Sequence, residues 1–266
     1  AREESFADLT DSAPDPRYID VFRLKYDYHN IKVLLKAAAV GANPDPMLAD
    51  MGRVSVQQLK DSLAGGETAD LPPMLAAAAA EAKEVLDTTR DPQLSDIVLD
   101  RWSYRDMLAV AEATGSAFLR GYVQVQIDAA NLRALVRTLR MGKNETFLSG
   151  VLFEGGDIPA DAILKVSADK GAGLKELYEP TRFREAAECA QESLRGGALT
   201  EFERLCDDAV NDYLSGAQFV PFGEAPLVGY LAARETEYTN LRILLTGRGT
   251  GLSPDVIRSR LRSCQA

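Results

Sequence analysis

The 266-residue chain predicts an all-α fold of three related helical modules, and three observations carry that prediction. The first is a phrase that occurs three times, in which an acidic residue, two spacers and an asparagine open an amphipathic run. It reads Asp27-Tyr-His-Asn30-Ile-Lys-Val-Leu-Leu, then Asp128-Ala-Ala-Asn131-Leu-Arg-Ala-Leu-Val, then Glu237-Tyr-Thr-Asn240-Leu-Arg-Ile-Leu-Leu. The asparagines lie 101 and then 109 residues apart (30 to 131, 131 to 240), so the unit is domain-sized, longer than the roughly 20 to 50 residues of a solenoid repeat. The second is period: Ile31, Leu34 and Leu35, and their counterparts in the other two phrases, follow helical spacing, whereas strand-like alternation is scarce. The third is punctuation, with prolines and glycines standing where helices start and stop.

Taken in order, a long helix is expected from about Asp15 to Val40, closed by Gly41-Ala-Asn-Pro44, and a short one from Ser55 to Ala64. Pro72-Pro73 opens an alanine-rich helix over 73–88, Asp91-Pro92 starts another to 113, and a third over 115–140 carries Asn131. A loop with Glu154-Gly-Gly-Asp157 follows, after which Pro159 opens a short helix to Val166. Further helices are expected over 173–178, 181–194, 199–214 and 225–246, with a terminal one from Ser253. The modules then divide as 1–70, 71–170 and 171–266. Residues 71–130 and 171–239 lead up to the second and third asparagines but only 1–29 to the first, so module one is expected to be N-terminally truncated. The opening Ala1-Arg-Glu-Glu-Ser-Phe-Ala-Asp8, without an initiator Met or the order of a signal peptide, reads as the middle of a longer protein.

Two further echoes accompany the triplet. Gly52-Arg-Val-Ser, Gly156-Asp-Ile-Pro and Gly251-Leu-Ser-Pro each place a glycine before a short capped helix. Asp15-Pro-Arg-Tyr-Ile-Asp20 matches Asp91-Pro-Gln-Leu-Ser-Asp96 at a spacing of 76, continued by Lys25-Tyr26 and Arg101-Trp102, and this cannot share one simple register with the triplet. The triplet is the stronger guide. Its asparagines stand beside the apolar seam and read as internal ties to another helix or a bent loop, since mid-helix Asn needs a local reason. Lys32, Arg133 and Arg242 read as partners of nearby acids or as solvated charges.

Composition narrows the function. A net charge of -10 and a pI near 4.8 argue against nucleic acid, which needs clustered Lys and Arg, and favour a basic protein surface as partner. Cys189, Cys206 and Cys264 form no CxxC, so a disulfide framework or zinc ribbon is not expected and a reducing, cytoplasmic compartment is. The apolar run Met74–Ala80 is far short of the roughly 20 residues that span a bilayer.

No constellation for catalysis, cofactor or metal emerges. His29 is the one histidine, and the sister phrases carry Ala130 and Thr239 in its place. Ser167-Ala-Asp-Lys170 lacks the companion motifs of serine acyl enzymes. Gly247-Arg-Gly-Thr-Gly251 follows a helix instead of a strand and reads as a flexible turn, and Gly171-Ala-Gly-Leu-Lys175 lacks the ending of a phosphate loop. Asp207-Asp208 reads as a solvated helix face, Trp102 and Tyr104 as helix-packing residues, and Asn144-Glu-Thr146 as an unused glycosylation sequon.

The Asn phrases, above all Lys25-Tyr-Asp-Tyr-His-Asn-Ile-Lys-Val-Leu-Leu-Lys36, together with Arg234-Glu-Thr-Glu-Tyr-Thr-Asn-Leu-Arg-Ile and the closing Ile257-Arg-Ser-Arg-Leu261, resemble the family of the V-type (archaeal-type) ATP synthase C subunit, related to the d subunit of V-ATPases. The resemblance implies a funnel of three helical domains in pseudo-threefold arrangement and a non-catalytic rotor role without cofactor or metal. It further implies a central-stalk socket, cytoplasmic and peripheral to the membrane, between the central-shaft subunits and the membrane rotor (proteolipid) ring. Such a socket serves ATP synthesis or hydrolysis coupled to hydrogen ion or other ion transport. It implies no site residues that can be carried over one by one. A generic helical adaptor, or an all-α enzyme with an acidic cluster in one cavity, are the competing expectations.

Overall fold

The computed structural model describes residues 6, 9, 10, 13–65 and 70–263. Among them it holds 12 α-helices, two 3-10 turns and no strand, being 75% helical, so the chain is all-α as its periodicity predicts. Contacts divide the chain into two compact units, Ala1–Arg120 and Gly121–Ala266.

The first unit holds α1 (Arg17–Val40), a 3-10 turn (Asp45–Met47), α2 (Val56–Gly65), α3 (Pro73–Thr89) and α4 (Pro92–Ala113). α1 stops at Gly41, which takes a left-handed φ of 67° that a side chain would oppose. α3 and α4 form a hairpin. Ala78, Ala79 and Ala82 are buried along α3, where small side chains permit close helix approach, and Ser95 Oγ of α4 donates to the Ala82 carbonyl at 2.9 Å. Trp102 Nε1 donates to Glu81 at 2.7 Å, which makes it the helix-packing residue expected. α4 also runs antiparallel to α1, because Tyr28 meets Asp106, Lys32 meets Asp100 and Lys36 meets Asp96. Ile19, Leu24, Ile31, Leu75 and Leu99 are fully buried in this unit.

The 76-residue echo has a local cause. Asp15 accepts from the Arg17 N–H at 3.0 Å and Asp91 from the Gln93 N–H at 2.8 Å, so both open their helices in the same way. It marks the starts of two antiparallel neighbours.

The second unit follows the start of α5 (Ala117–Arg140) with α6 (Glu145–Val151), α7 (Ala160–Ala168), α8 (Leu174–Tyr178), α9 (Arg184–Leu194) and α10 (Thr200–Ser215). A 3-10 turn (Gly216–Phe219), α11 (Ala225–Gly249) and α12 (Pro254–Arg260) complete it. α10 runs antiparallel to α5, with Arg133 on Asp207 at 2.5 Å and Arg137 on Glu203 at 2.6 Å. Ile127, Leu132, Leu135, Ile163, Tyr178 and Phe202 form its core.

Three details depart from expectation. α6 lies where a loop was expected, and Asn144 of the sequon is its N-cap, accepting from the Phe147 N–H at 3.0 Å. The Gly247–Gly251 segment is helical through Gly249. Gly247 is buried there against Ile257, to which a Cβ would stand 2.8 Å away, and the turn proper is Gly251 at φ 74°. Asp207 and Asp208 are not a solvated face: Asp207 pairs with Arg133 and with Arg262 at 2.6 Å, and Asp208 with Arg204 at 2.5 Å while accepting from the Ser263 N–H.

Candidate functional site

The three signature asparagines do the same thing. Asn30 Nδ2 donates to the Ala49 carbonyl at 2.8 Å while its Oδ1 accepts from the Ala49 N–H at 2.9 Å. Asn131 holds Phe153 by the same two bonds, both 2.8 Å, and Asn240 holds Arg262 at 3.0 and 2.8 Å. A primary amide presents one donor and one acceptor side by side, so it can satisfy both backbone groups of one residue as a neighbouring strand would. Each clamped residue stands two positions past the end of a short helical element: Met47 then Ala49, Val151 then Phe153, Arg260 then Arg262. The clamp spans 19 residues from Asn30 and 22 from Asn131 and Asn240, the first being shorter because a 3-10 turn at Asp45–Met47 stands where the other two have a longer α-helix.

This register corrects the glycine echo. Gly52 and Gly156 follow the clamped residue, whereas Gly251 precedes it, at the start of the turn into α12. The first two glycines are required by the signature acids. A Cβ at Gly52 would sit 2.0 Å from Asp27 Oδ1, and one at Gly156 would sit 2.2 Å from Asp128 Oδ1. In that space Asp27 accepts from the Val54 N–H at 3.1 Å, and Asp128 accepts from the N–H groups of Asp157 and Ile158, each at 3.1 Å. Glu237 has no such seat and pairs with Arg234 on the helix surface.

Both seated carboxylates are buried, with different neutralisation. Burial pushes the Asp27 carboxyl above its ordinary range, against the pull of Arg53, whose Nε lies 3.0 Å away. Arg53 also binds Asp106 at 2.7 Å, and Tyr28 donates to the same Asp106 oxygen at 3.2 Å, so one guanidinium serves two buried acids. For Arg53 burial works against its charge, and the two carboxylates outweigh it. Asp128 has backbone N–H partners, and burial pushes it up to about 6.

The other residues singled out in the sequence are dispersed. His29 is exposed and its Nε2 donates to the Met47 carbonyl at 2.9 Å, bracing the first clamp. Ser167 is buried at the end of α7, Lys170 lies in the turn beyond it, and Gly171 takes φ 87°. Cys189 and Cys206 are free, burial pushing Cys206 up to about 12, and Cys264 lies outside the described residues. Among the described residues no three His, Cys, Asp or Glu side chains are grouped to hold a metal ion. No described helix is long and apolar enough to cross a membrane.

What the geometry provides is fastening. Side-chain amides and buried carboxylates lock long helices to the loops that follow them, and rows of ion pairs lock the same helices to their neighbours. The same chain matches, over residues 3–260, the family profile described as ATP synthase (C/AC39) subunit. It is similar to the C subunit of the V-type sodium ATPase of Enterococcus hirae, 28% identical over 98% of this chain and 79% of that protein. It is also similar to the C subunits of the A-type ATP synthases of Haloferax volcanii, 27% identical over 97% of this chain and 78% of that protein, and of Methanocaldococcus jannaschii, 28% identical over 93% and 65%. With nearly its whole length matched, the chain belongs to the ATP synthase (C/AC39) subunit family, whose members are subunits of rotary ATPases.

Proposed function

We propose that this chain is the non-catalytic central-stalk subunit of a V-type or A-type rotary ATPase, a socket that couples the central shaft to the membrane rotor ring. Similarity to the C subunits of such enzymes along 98% of the chain is the observation that carries this reading. In it, the modules 1–70, 71–170 and 171–266 form a pseudo-threefold funnel on the cytoplasmic side, peripheral to the membrane, and the shaft foot enters the funnel.

A rotor coupler needs resistance to shear more than it needs chemistry. The Asn clamps supply it locally: for a long helix to slide past its following loop, two hydrogen bonds must break at once and leave backbone groups of a half-buried residue unpaired. The net charge of -10 adds a means of docking, since an acidic rim attracts a basic shaft end and that attraction is screened by salt. Native mass spectrometry of the protein with purified central-shaft subunits, at low and moderate salt, tests the reading. A 1:1 assembly that weakens as salt rises supports it; absence of assembly at both salts reduces the chain to a helical scaffold with another partner.

A further inference from the structure

Module three departs from its sisters in where it carries its bases. In modules one and two the signature helix has two of them one turn apart, Lys32 and Lys36 on α1 and Arg133 and Arg137 on α5. Each meets an acid on the antiparallel neighbour. In module three the first base is kept as Arg242 of α11, but the second is replaced by Thr246. A base stands elsewhere instead. Arg260, at the end of α12, lies two positions before the clamped Arg262, where the other modules have the apolar Met47 and Val151. The pair of bases has thus moved from one row on a helix surface to two helices that wall one cavity. A row of bases suits the row of acids on a packed helix, whereas bases on two walls suit an anion that stands between them.

The cavity between α11 and α12 measures about 380 Å³. Arg242, Thr246 and Arg260 give it a polar side and Ile243, Leu252 and Ile257 an apolar one, and among the described residues no carboxylate lines it. Neither arginine has an acid partner among the described residues, in a chain with 40 acidic residues to 30 basic ones. The Arg260 Nε–H is moreover buried and donates to nothing among them. A buried donor without an acceptor is costly, and on a guanidinium it points to an anion at that spot.

We propose that the α11–α12 cavity binds a phosphomonoester carried on a small apolar body. Its phosphate stands between the guanidiniums of Arg242 and Arg260 and accepts from the buried Arg260 Nε–H, while the Thr246 hydroxyl donates to another of its oxygens. The body lies against Ile243, Leu252 and Ile257. Two guanidiniums favour a phosphate dianion over a carboxylate, and about 380 Å³ is room for an organic ligand that inorganic phosphate alone does not fill. An acid from a helix packed on α11, such as the module-one segment expected before residue 1, would account for Arg242 but not for Arg260. The latter has no basic counterpart in the modules where such a helix is seen. The site belongs to module three alone and does not depend on the rotary role.

The probe is phenyl phosphate, titrated into the 266-residue protein while the arginine Nε–H signals are followed by proton–nitrogen NMR. A saturable shift of the Arg260 signal is expected, that signal being assigned by its loss in Arg260→Lys, with a Kd about tenfold or more below that of inorganic phosphate. Arg242→Gln and Arg260→Lys are each expected to weaken binding by about tenfold or more. Arg248→Gln, on the same helix but outside the cavity lining, is expected to leave it unchanged. Arg242 and Arg248 are both exposed, so those two variants keep the fold and decide the matter even where Arg260→Lys does not. Co-sedimentation with vesicles containing phosphatidic acid, lost in Arg242→Gln, assigns the phosphomonoester to a lipid headgroup; binding of phenyl phosphate without co-sedimentation assigns it to a soluble ester. Absence of a saturable shift, or equal weakening by Arg242→Gln and Arg248→Gln, overturns the proposal. So does loss of binding in a longer chain that carries the module-one segment expected before residue 1, since that segment then fills the cavity.

Discussion

Asn131 and Phe153, 22 residues apart, exchange two hydrogen bonds of 2.8 Å each, so one side chain of α5 satisfies both backbone polar groups of a residue beyond α6. Asn131→Ala removes both bonds at a buried position and strands the Phe153 N–H and C=O. A loss of about 2 to 5 kcal/mol is expected from urea denaturation, given about 1 to 3 kcal/mol for each unsatisfied buried group. Asn240→Ala, at a half-buried position with water within reach of Arg262, is expected to cost less. Equal losses at the two sites would show that the clamp's contribution does not depend on burial.

The carboxylate seats predict opposite outcomes for one type of substitution. Gly52→Ala and Gly156→Ala drive a methyl into Asp27 or Asp128, so either the carboxylate leaves its N–H partners or the loop moves. Each is expected to cost at least about 2 kcal/mol. Gly150→Ala, inside α6 where an added Cβ would meet nothing within 4 Å, is expected to gain about 0.5 to 1 kcal/mol from helix propensity. Thermal denaturation of the three variants checks the sign in a single series.

Asp128 gives a pH signature. Its folded pKa of about 6 lies above the ordinary carboxylate value of about 3.9, so the native state holds this proton more tightly than the unfolded chain does. The contribution is therefore largest below about pH 4 and is lost as pH rises through about 6, a change of roughly 3 kcal/mol. Asp128→Asn lacks the proton. The parent's advantage over that variant, measured by urea denaturation between pH 4 and 7, is expected to shrink by about that amount as pH increases. A constant difference would mean that Asp128 stays ionised throughout.

Much of this was legible because it is periodic or punctuated. The long helices declared themselves by apolar spacing and by prolines and glycines at their ends, and the triplicated Asn phrase located one half of every clamp. The other half was invisible for a physical reason. The amide reads backbone atoms, so Ala49, Phe153 and Arg262 share no side-chain character that a pattern could detect. Gly52 and Gly156 carried a true signal, since a buried carboxylate excludes a Cβ there, but Gly251 imitated it from the wrong side of the clamp. α6 escaped notice because seven residues complete barely two turns, and its cap, Asn144, also fits a sequon. The ion pairs of Asp207 with Arg133 and Arg262 depend on which helices lie side by side, and local periodicity does not contain that information.

Torque coupling is read out by measuring ATP hydrolysis and ion transport together, in vesicles carrying the rotary ATPase assembled with and without this protein. Without it, ATP is expected still to be hydrolysed while little or no ion gradient forms, and adding the purified protein back is expected to restore transport in proportion to hydrolysis. Full transport in its absence, or loss of ATP hydrolysis by the isolated catalytic head when it is withheld, would contradict the coupling role.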